Sequence, residues 1–306
     1  MMTSEQSEHM GVFSEDGPAL FLSAMAAVFW GSVFEATRLV LVDLTPWTAV
    51  ATRFVFAAAA TLIWLWLSGG INWPIFRRNF VAFLMLGAFG IAGFSGLLFW
   101  GMKSSSPVTA ALIMATNPLI TNLIDAFMKR RKPKMAELAG LFISMLGVAL
   151  TVGAFSGARL APGDLLILLA SLVWAFYSLG SRNWVKGASP LQTSVWTTVF
   201  GTVFLVIAAV VLADPVAELQ MASVVTWAAT VWMALVGSVL AYLFWQIGIA
   251  VRGPAATSVL YNLVPVSALI IAACFGRMPD GVQILGVFVA IFGVLLASGR
   301  VPFLSR

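Results

Sequence analysis

Long apolar stretches separated by short polar segments run along almost the whole chain. Each stretch holds about the 20 residues that an α-helix needs to cross a hydrocarbon core about 30 Å thick. The pattern therefore predicts an all-α membrane protein with ten transmembrane helices. The eighth stretch is overlong, which indicates a tilted helix or one partly outside the membrane. The predicted spans are 18–42, 47–68, 79–101, 107–128, 135–153, 162–184, 190–212, 223–251, 254–276 and 281–300.

The second half of the chain repeats the first. A shift of 144 positions places Trp30 on Trp174, and a shift of 147 places Pro118 on Pro265. Five spans per half is an odd number, so the halves have opposite orientations across the bilayer. Many secondary transporters are inverted repeats of this kind and hold their substrate between the halves near the midplane. Transport is therefore the first hypothesis, with a predicted N-terminal tail at 1–17 and five-helix repeats at 18–157 and 158–306.

Composition and charge support a membrane location. Hydrophobic residues make up 61% of the chain and charged residues 9%, against roughly 45–50% and about 25% in an ordinary soluble domain. Twelve of the 17 Lys and Arg residues follow the even-numbered spans. Because cytoplasmic loops retain basic residues, we expect both termini to be cytoplasmic. The net charge of +5 reflects this bias, so no nucleic-acid partner is expected.

The residues inside the predicted spans do not support catalysis. The one histidine, His9, lies in the polar tail, so no histidine is available for a metal site or a Ser-His-Asp triad within the membrane. The chain also has no G-x-x-x-x-G-K-[ST] phosphate loop and no G-x-S-x-G elbow. We therefore predict a protein that is not an enzyme and uses no cofactor and no metal.

Glu35 and Arg53 are the two charges placed most firmly within spans. Both lie roughly 9–10 Å below the outer surface at 1.5 Å per residue, and we expect the two helices to bring them together. An unpaired charge at that depth is expensive, so a partner or a wet cavity is expected. In the functional hypothesis they form an outer gate or anchor an amino acid, with Arg53 facing the carboxylate and Glu35 the ammonium or a proton. The alternative is a static ion pair or a snorkelling Arg53.

Aromatic and amide side chains form a second group of candidates. Trp30 and Trp174 are equivalent in the two repeats, and aromatic faces of this kind stack on apolar or aromatic ligands. In the eighth span, Tyr242 lies three residues before Trp245 and four before Gln246, which places all three on one helix face. The alternatives are packing, an interfacial belt or a helix–helix hydrogen bond. The predicted cavity residues are Trp30, Trp174, Tyr177, Tyr242, Trp245 and Gln246.

Mid-helix prolines interrupt the fourth and ninth spans. Asn117 and Pro118 form a polar break in one, and Tyr261, Asn262 and Pro265 form its counterpart in the other. Because proline removes a backbone donor and frees a carbonyl of the preceding turn, each helix should bend there. We predict that the prolines act as hinges and that the neighbouring asparagines and Tyr261 contact substrate.

Small residues form faces suited to close helix packing in the third, fifth and tenth spans. In the last two spans they favour a scaffold or a dimer surface, so the oligomeric state is expected to be a monomer or a homodimer. The residues are Gly87, Gly90 and Gly93, then Gly140, Ser144 and Gly147, and finally Gly286, Ala290 and Gly293.

Motifs along the chain resemble those of the drug/metabolite transporter superfamily, and in particular its EamA family. They include A-V-F-W-G-S from Ala27, S-L-V-W-A-F-Y from Ser171, F-W-G-M-K from Phe99 and A-Y-L-F-W-Q-I-G-I from Ala241. The W-A-x-Y and A-Y-x-x-W-[NQ]-x-G-I patterns are most similar to those of bacterial exporters of aromatic amino acids. The resemblance implies export of amino acids or related small metabolites across a bacterial inner membrane by alternating access.

The chain departs from the family pattern at one pair of turns. Family members often carry a Glu after the fourth and ninth spans, whereas this chain has Lys129-Arg130-Arg131 and Gly276-Arg277-Met278 there. We interpret this as a change in loop chemistry without consequence for substrate choice. Two other functions stay open, namely an exporter of toxic compounds or other metabolites and a scaffold or sensor that transports nothing.

Overall fold

The computed structural model describes residues 16–132, 134–151 and 161–297. His9, Arg159, Arg300 and most of the predicted tail lie outside these residues. Within the described ranges, ten helices follow one another, and a further short helix, Pro215–Met221, lies before α8. They are α1 (Asp16–Val40), α2 (Pro46–Leu67), α3 (Trp73–Gly101), α4 (Pro107–Met128), α5 (Met135–Thr151), α6 (Pro162–Asn183), α7 (Pro190–Leu212), α8 (Val224–Arg252), α9 (Pro254–Cys274) and α10 (Gly281–Ala297).

Eight of these helices are long and apolar enough to cross a membrane, judged by length and composition. The other two, α5 and α10, have 17 residues each and stand where spans five and ten were predicted. Large apolar side chains such as Phe21, Trp66 and Phe142 are exposed, as expected of surfaces that face lipid. The prediction of an all-helical multi-pass protein is confirmed, with eight full-length spans and two shorter apolar helices.

The turns contain the signals that start helices. Proline occupies the first position of α2, α4, α6, α7 and α9, where its missing N–H has no helical partner to lose. The hydroxyl of Ser106 accepts a hydrogen bond from the Thr109 amide at 3.0 Å, and Ser189 forms a reciprocal capping box with Gln192. Ser106 therefore caps the start of α4, and Ser189 that of α7.

A π-helical segment interrupts α3 and another interrupts α8. They cover Leu86–Gly93 and Met233–Leu240, eight residues each, and a shift of 147 superposes one on the other. Segments of this type are rare and are frequent at functional sites. No feature of the hydrophobic pattern predicted them.

The predicted breaks in α4 and α9 are confirmed. Helix α4 is interrupted at residues 115–116 and restarts at Asn117, with Pro118 in its first turn. Helix α9 passes through a 3₁₀ turn, Val259–Asn262, before Pro265. In both helices the irregular turn lies just before the proline, where the missing N–H weakens the hydrogen-bond ladder.

Contacts between helices repeat with the same shifts as the sequence. Gly90 of α3 packs against the ring of Tyr177, so closely that no Cβ fits there, and Gly237 of α8 packs in the same way against Val33. Tyr177 and Val33 are 144 positions apart, and Gly90 and Gly237 are 147 apart. The inverted repeat is therefore present in the packing as well as in the sequence.

Helices α5 and α10 pack against each other through their small residues. The backbone of Gly147 lies against Gly286 and Ala290, and that of Gly293 lies against Gly140 and Ser144. These faces are buried within one chain, so the interpretation of them as a dimer surface is wrong. The scaffold interpretation agrees with the packing, because neither helix lines the cavity described below.

Candidate functional site

The two ends of the bundle differ in charge. We call the end that carries Arg77, Arg182 and Arg252 the basic end, and the opposite end, near Glu35 and Asp43, the Glu35 end. At the basic end, Arg252 forms an ion pair with Asp16 at 2.7 Å, and Arg182 donates to the Ala250 carbonyl at 2.8 Å. These contacts join α1, α6 and α8.

Six aromatic side chains from both repeats meet near the middle of the bundle. The aromatic cluster consists of Trp30, Trp174, Tyr177, Tyr242, Trp245 and Tyr261, and all six are buried. The Trp30 ring lies at the centre, with the centroids of four other rings 5.0–5.9 Å away. It stacks on Tyr261 with an interplanar angle of 14°. The structure therefore brings together all six predicted aromatic residues, from α1, α6, α8 and α9.

The π-helical segment of α8 anchors this cluster. The Gly237 carbonyl accepts a hydrogen bond from the Trp30 indole nitrogen at 3.0 Å and another from Arg53 at 3.2 Å. The π-helical geometry disturbs the regular backbone ladder, and here one of its carbonyls binds side chains of α1 and α2. Only glycine fits at 237, because a Cβ there would overlap Val33.

A small cavity lies beside the cluster, on its Glu35 side. Its volume is about 30 Å³, which is room for one or two water molecules and far below the ~300 Å³ or more of a typical ligand site. An amino acid therefore requires the helices to move apart. The lining residues are Trp30, Val33, Phe34, Arg53, Phe94, Leu98, Met114, Tyr242 and Tyr261.

Arg53 is the one charged residue of this lining and is 3% exposed. Its Nε donates to the Ser238 hydroxyl at 2.8 Å, in addition to the bond with Gly237. The guanidinium carbon lies 5.1 Å from the centroid of the Phe54 ring and 5.8 Å from that of Phe99, within cation–π range.

Glu35 does not pair with Arg53, so the expected pairing is wrong. The Glu35 carboxylate accepts from the Nε of Arg38 at 2.6 Å and forms a second ion pair with Arg277 in the α9–α10 turn. The similar depth of Glu35 and Arg53 in the membrane indicated that they would be close, but each side chain leaves its helix toward different neighbours. We call the contacts of Glu35 with Arg38 and Arg277 the Glu35 bridge.

Arg277 was missed as a site residue. It contributes to the Glu35 bridge because the α9–α10 turn folds against the end of α1, a contact that helix periodicity does not encode. The available signal was the departure from the family pattern at residues 276–278, which the sequence analysis noted without assigning it a consequence.

Hydroxyl and amide groups fill the basic-end side of the cluster. Gln246 donates to the Tyr177 hydroxyl at 2.7 Å and to Ser181 at 3.3 Å, and the Tyr177 hydroxyl lies 3.2 Å from that of Thr197. The predicted residue Gln246 thus joins α8 to α6 in this conformation and does not line the cavity.

The two asparagines at the helix breaks have different surroundings. Asn117 donates to the Ser171 carbonyl at 2.8 Å, which joins α4 to α6, and accepts from Thr121 of its own helix at 3.1 Å. Asn262 donates to the Val259 carbonyl at 2.8 Å, but its side-chain oxygen is buried without a hydrogen-bond partner. Neither residue lines the cavity.

Several buried polar atoms of the cluster have no hydrogen-bond partner among the described residues. They are the indole nitrogens of Trp174 and Trp245 and the hydroxyl oxygen of Tyr242. Such groups are rare in folded proteins, because an unsatisfied buried donor is costly. A polar molecule that enters between the halves has donors available to it here.

The chain was compared with known proteins. Residues 17–153 and 161–299 each match the EamA-like transporter family. The Uncharacterized transporter YyaM of Bacillus subtilis (strain 168) is 35% identical, with 90% of this chain and 92% of that protein aligned. A Probable terminal-alkyne amino-acid exporter of Streptantibioticus cattleyicolor is 26% identical, with 92% and 94% aligned.

The chain is also similar to a solved crystal structure, with 95% of this chain and 100% of the other aligned, a TM-score of 0.71 and 19% identity. At that identity the likeness supports the fold alone. Two consecutive family matches span nearly all of the helices, one in each repeat, and the relatives are named as transporters. The chain belongs to the EamA-like transporter family and is a multi-pass membrane transporter.

Proposed function

We propose that this transporter exports amino acids, aromatic or otherwise neutral, or related small metabolites across the inner membrane. The observation that carries the proposal is the aromatic cluster, which draws on both repeats and adjoins a cavity at the middle of the bundle. Aromatic faces with unsatisfied N–H and O–H donors suit a ligand that has both an apolar body and polar groups. The printed name of the Streptantibioticus cattleyicolor relative, an amino-acid exporter, agrees with this substrate class.

Transport proceeds by alternating access between the repeats 18–157 and 158–306. The substrate contacts the aromatic cluster and Arg53, and after rearrangement Gln246, Asn117 and Asn262. Pro118 and Pro265 act as hinges, and the Glu35 bridge acts as a gate at its end of the bundle. The substrate biases the two states only through its different affinity for each. The basic end is cytoplasmic under the positive-inside rule, so an exported substrate enters at the basic end and leaves at the Glu35 end.

Counterflow in proteoliposomes tests the proposed function. Liposomes that contain the protein and unlabelled phenylalanine should accumulate labelled phenylalanine above empty liposomes, and aromatic amino acids should compete. If folded protein exchanges neither phenylalanine nor threonine, the amino-acid proposal is wrong. Exchange of a hydrophobic cation by the same liposomes would then favour a toxic-compound exporter, and no exchange at all a scaffold or sensor.

The native cysteine tests the orientation. Cys274 is exposed at the Glu35 end and is the one cysteine of the chain. A membrane-impermeant maleimide added to intact cells should label it. The matched variant Cys274→Ser with Lys186→Cys places the thiol at the basic end, and this variant should react only after the cells are opened.

A further inference from the structure

We propose that Arg53 selects substrates by their carboxylate. The transporter then takes compounds with a carboxylate on an aromatic or apolar body and rejects the matching amines. The inference rests on the proposed function and adds to it the chemical group that the site recognises. It follows from the charges around the cavity, which are unequal.

Arg53 is a buried cation without an acidic partner. Its hydrogen bonds go to the neutral oxygens of Ser238 and Gly237, and within the described part of the chain no Asp or Glu lies within 4.0 Å of it. A cation in a protein interior at membrane depth normally pairs with an anion, since its desolvation is expensive. The rings of Phe54 and Phe99 compensate for part of that cost and leave the charge of the guanidinium unneutralised.

Glu35, which follows the lining residue Phe34 in sequence, is not available to an ammonium group in this arrangement. Glu35 already binds Arg38 and Arg277, so one carboxylate faces two cations and the Glu35 bridge has a net charge of +1. Arg53 and the Glu35 bridge together therefore have a charge of +2. Positive charge beside the cavity favours anions and disfavours cations there.

None of the other described acids at the Glu35 end lines the cavity, and each accepts a hydrogen bond from a backbone amide of a turn or helix start. Asp43, for example, accepts from the Thr226 hydroxyl at 2.5 Å and from the Ser223 amide at 2.9 Å, and these bonds lower the pKa of its carboxyl group. Those with backbone partners are Asp43, Asp164, Asp214, Glu218 and Asp280.

The chemistry of the cavity fits a carboxylate with an apolar body. A guanidinium presents parallel N–H donors that match a carboxylate, and such pairs are strongest where water is excluded. Phe34, Phe94, Leu98 and Met114 line the same cavity and can contact the apolar part of the ligand. The ammonium of an amino acid is left to the aromatic faces, which attract cations weakly.

Competition by two phenylalanine analogues, each of which lacks one of the two charged groups, tests the inference. In the counterflow assay, 3-phenylpropionate retains the carboxylate and lacks the amine, whereas phenethylamine retains the amine and lacks the carboxylate. We expect 3-phenylpropionate to inhibit phenylalanine exchange and phenethylamine to require on the order of 30-fold more compound or greater. Equal inhibition by the two compounds would overturn the inference and leave the proposed function intact.

Variants assign the preference to Arg53. Arg53→Gln should make the two compounds inhibit phenylalanine exchange equally. Arg53→Lys keeps the charge without the planar guanidinium and should retain part of the preference for 3-phenylpropionate. Lys103→Gln removes an exposed cation from the same end and should leave the preference unchanged. If Arg53→Gln folds and still prefers 3-phenylpropionate, Arg53 is a structural link between α2 and α8 and the inference is wrong.

A binding measurement separates the two proposals. The thermal midpoint of detergent-solubilised protein should rise with 3-phenylpropionate for the wild type and for Arg53→Lys, and not for Arg53→Gln. This rise without amino-acid exchange in liposomes would support carboxylate recognition and contradict the proposed function. If neither 3-phenylpropionate nor phenylalanine shifts the midpoint of the wild type, the inference is overturned.

Discussion

The two crossings of helices that flank the aromatic cluster are related by the repeat but filled differently. In the Glu35 crossing, α1 and α2 pack against the π-helical segment of α8; in the basic crossing, α6 and α7 pack against that of α3. Gly237 meets the small Val33 in the first, and Gly90 meets the large Tyr177 ring at the equivalent place in the second. The cavity adjoins Val33, and Tyr177 is not part of its lining.

The polar groups at the two crossings differ in the same way. Arg53 of the Glu35 crossing corresponds, 144 positions on, to Thr197 of the basic crossing. The first brings a charge to the cavity, whereas the second contacts the Tyr177 hydroxyl in a network of neutral groups. Two side-chain exchanges between equivalent positions thus accompany a cavity at one crossing and close packing at the other.

Replacement of the Tyr177 ring should cause the largest loss of stability among the changes at the two crossings. Tyr177→Val gives the basic crossing the side chain of its counterpart, and we expect a loss of about 3 kcal/mol of unfolding free energy from the cavity that forms. Tyr177→Phe keeps the ring and loses only the hydroxyl contacts, at a cost of about 1 kcal/mol. Chemical denaturation in detergent measures both. Equal losses would show that the hydroxyl contacts, and not the ring, close this crossing.

A Cβ at Gly87 should disturb the basic crossing somewhat less. Its nearest neighbours would be Phe200 Cβ at 2.6 Å and the Gly201 backbone nitrogen at 2.8 Å, so α3 and α7 must separate, and Gly87→Ala should cost about 1–3 kcal/mol. Gly93→Ala in the same π-helical segment is the matched control, because its nearest neighbour is 3.6 Å away. If the control unfolds as easily as Gly87→Ala, helix conformation rather than close packing determines the cost.

Removal of the Glu35 charge should have the smallest effect on stability. Arg38 and Arg277 are half-exposed, and ion pairs with exposed partners are worth about 0–1 kcal/mol. Glu35→Gln should therefore lower the free energy of unfolding by at most about 1 kcal/mol, measured by chemical denaturation in detergent. A loss as large as that of Tyr177→Val would mean that the Glu35 bridge is a main support of the fold and not a weak gate contact.

Much of the candidate site could be predicted from the sequence, because helix periodicity and the internal repeat both indicate which residues lie together. The repeat pairs Trp30 with Trp174, helix spacing puts Tyr242 and Trp245 on one face, and the structure places all four in one cluster. The proline breaks followed equally directly from the chemistry of the proline nitrogen.

The errors arose where the outcome depends on how helices rotate and how turns fold. Glu35 and Arg53 have similar depths, yet rotation about the helix axes directs them to different partners. Arg277 approaches Glu35 through a turn, and the π-helical segments at Gly90 and Gly237 have no composition signal. The small faces of α5 and α10 were recognised as packing faces, but hydrophobic periodicity cannot say whether the partner is the same chain or a second copy.

Substrate protection of a cavity cysteine tests most directly whether the space at the Glu35 crossing is the binding site. Met114 lines that space, and Met114→Cys in a Cys274→Ser background places one thiol there. Lys103→Cys in the same background is the control, because residue 103 is exposed at the Glu35 end, outside the cavity. We predict that phenylalanine slows maleimide labelling of the thiol at 114 and leaves that at 103 unchanged. Unchanged labelling at 114, in liposomes that exchange phenylalanine, would place the substrate elsewhere and contradict the account.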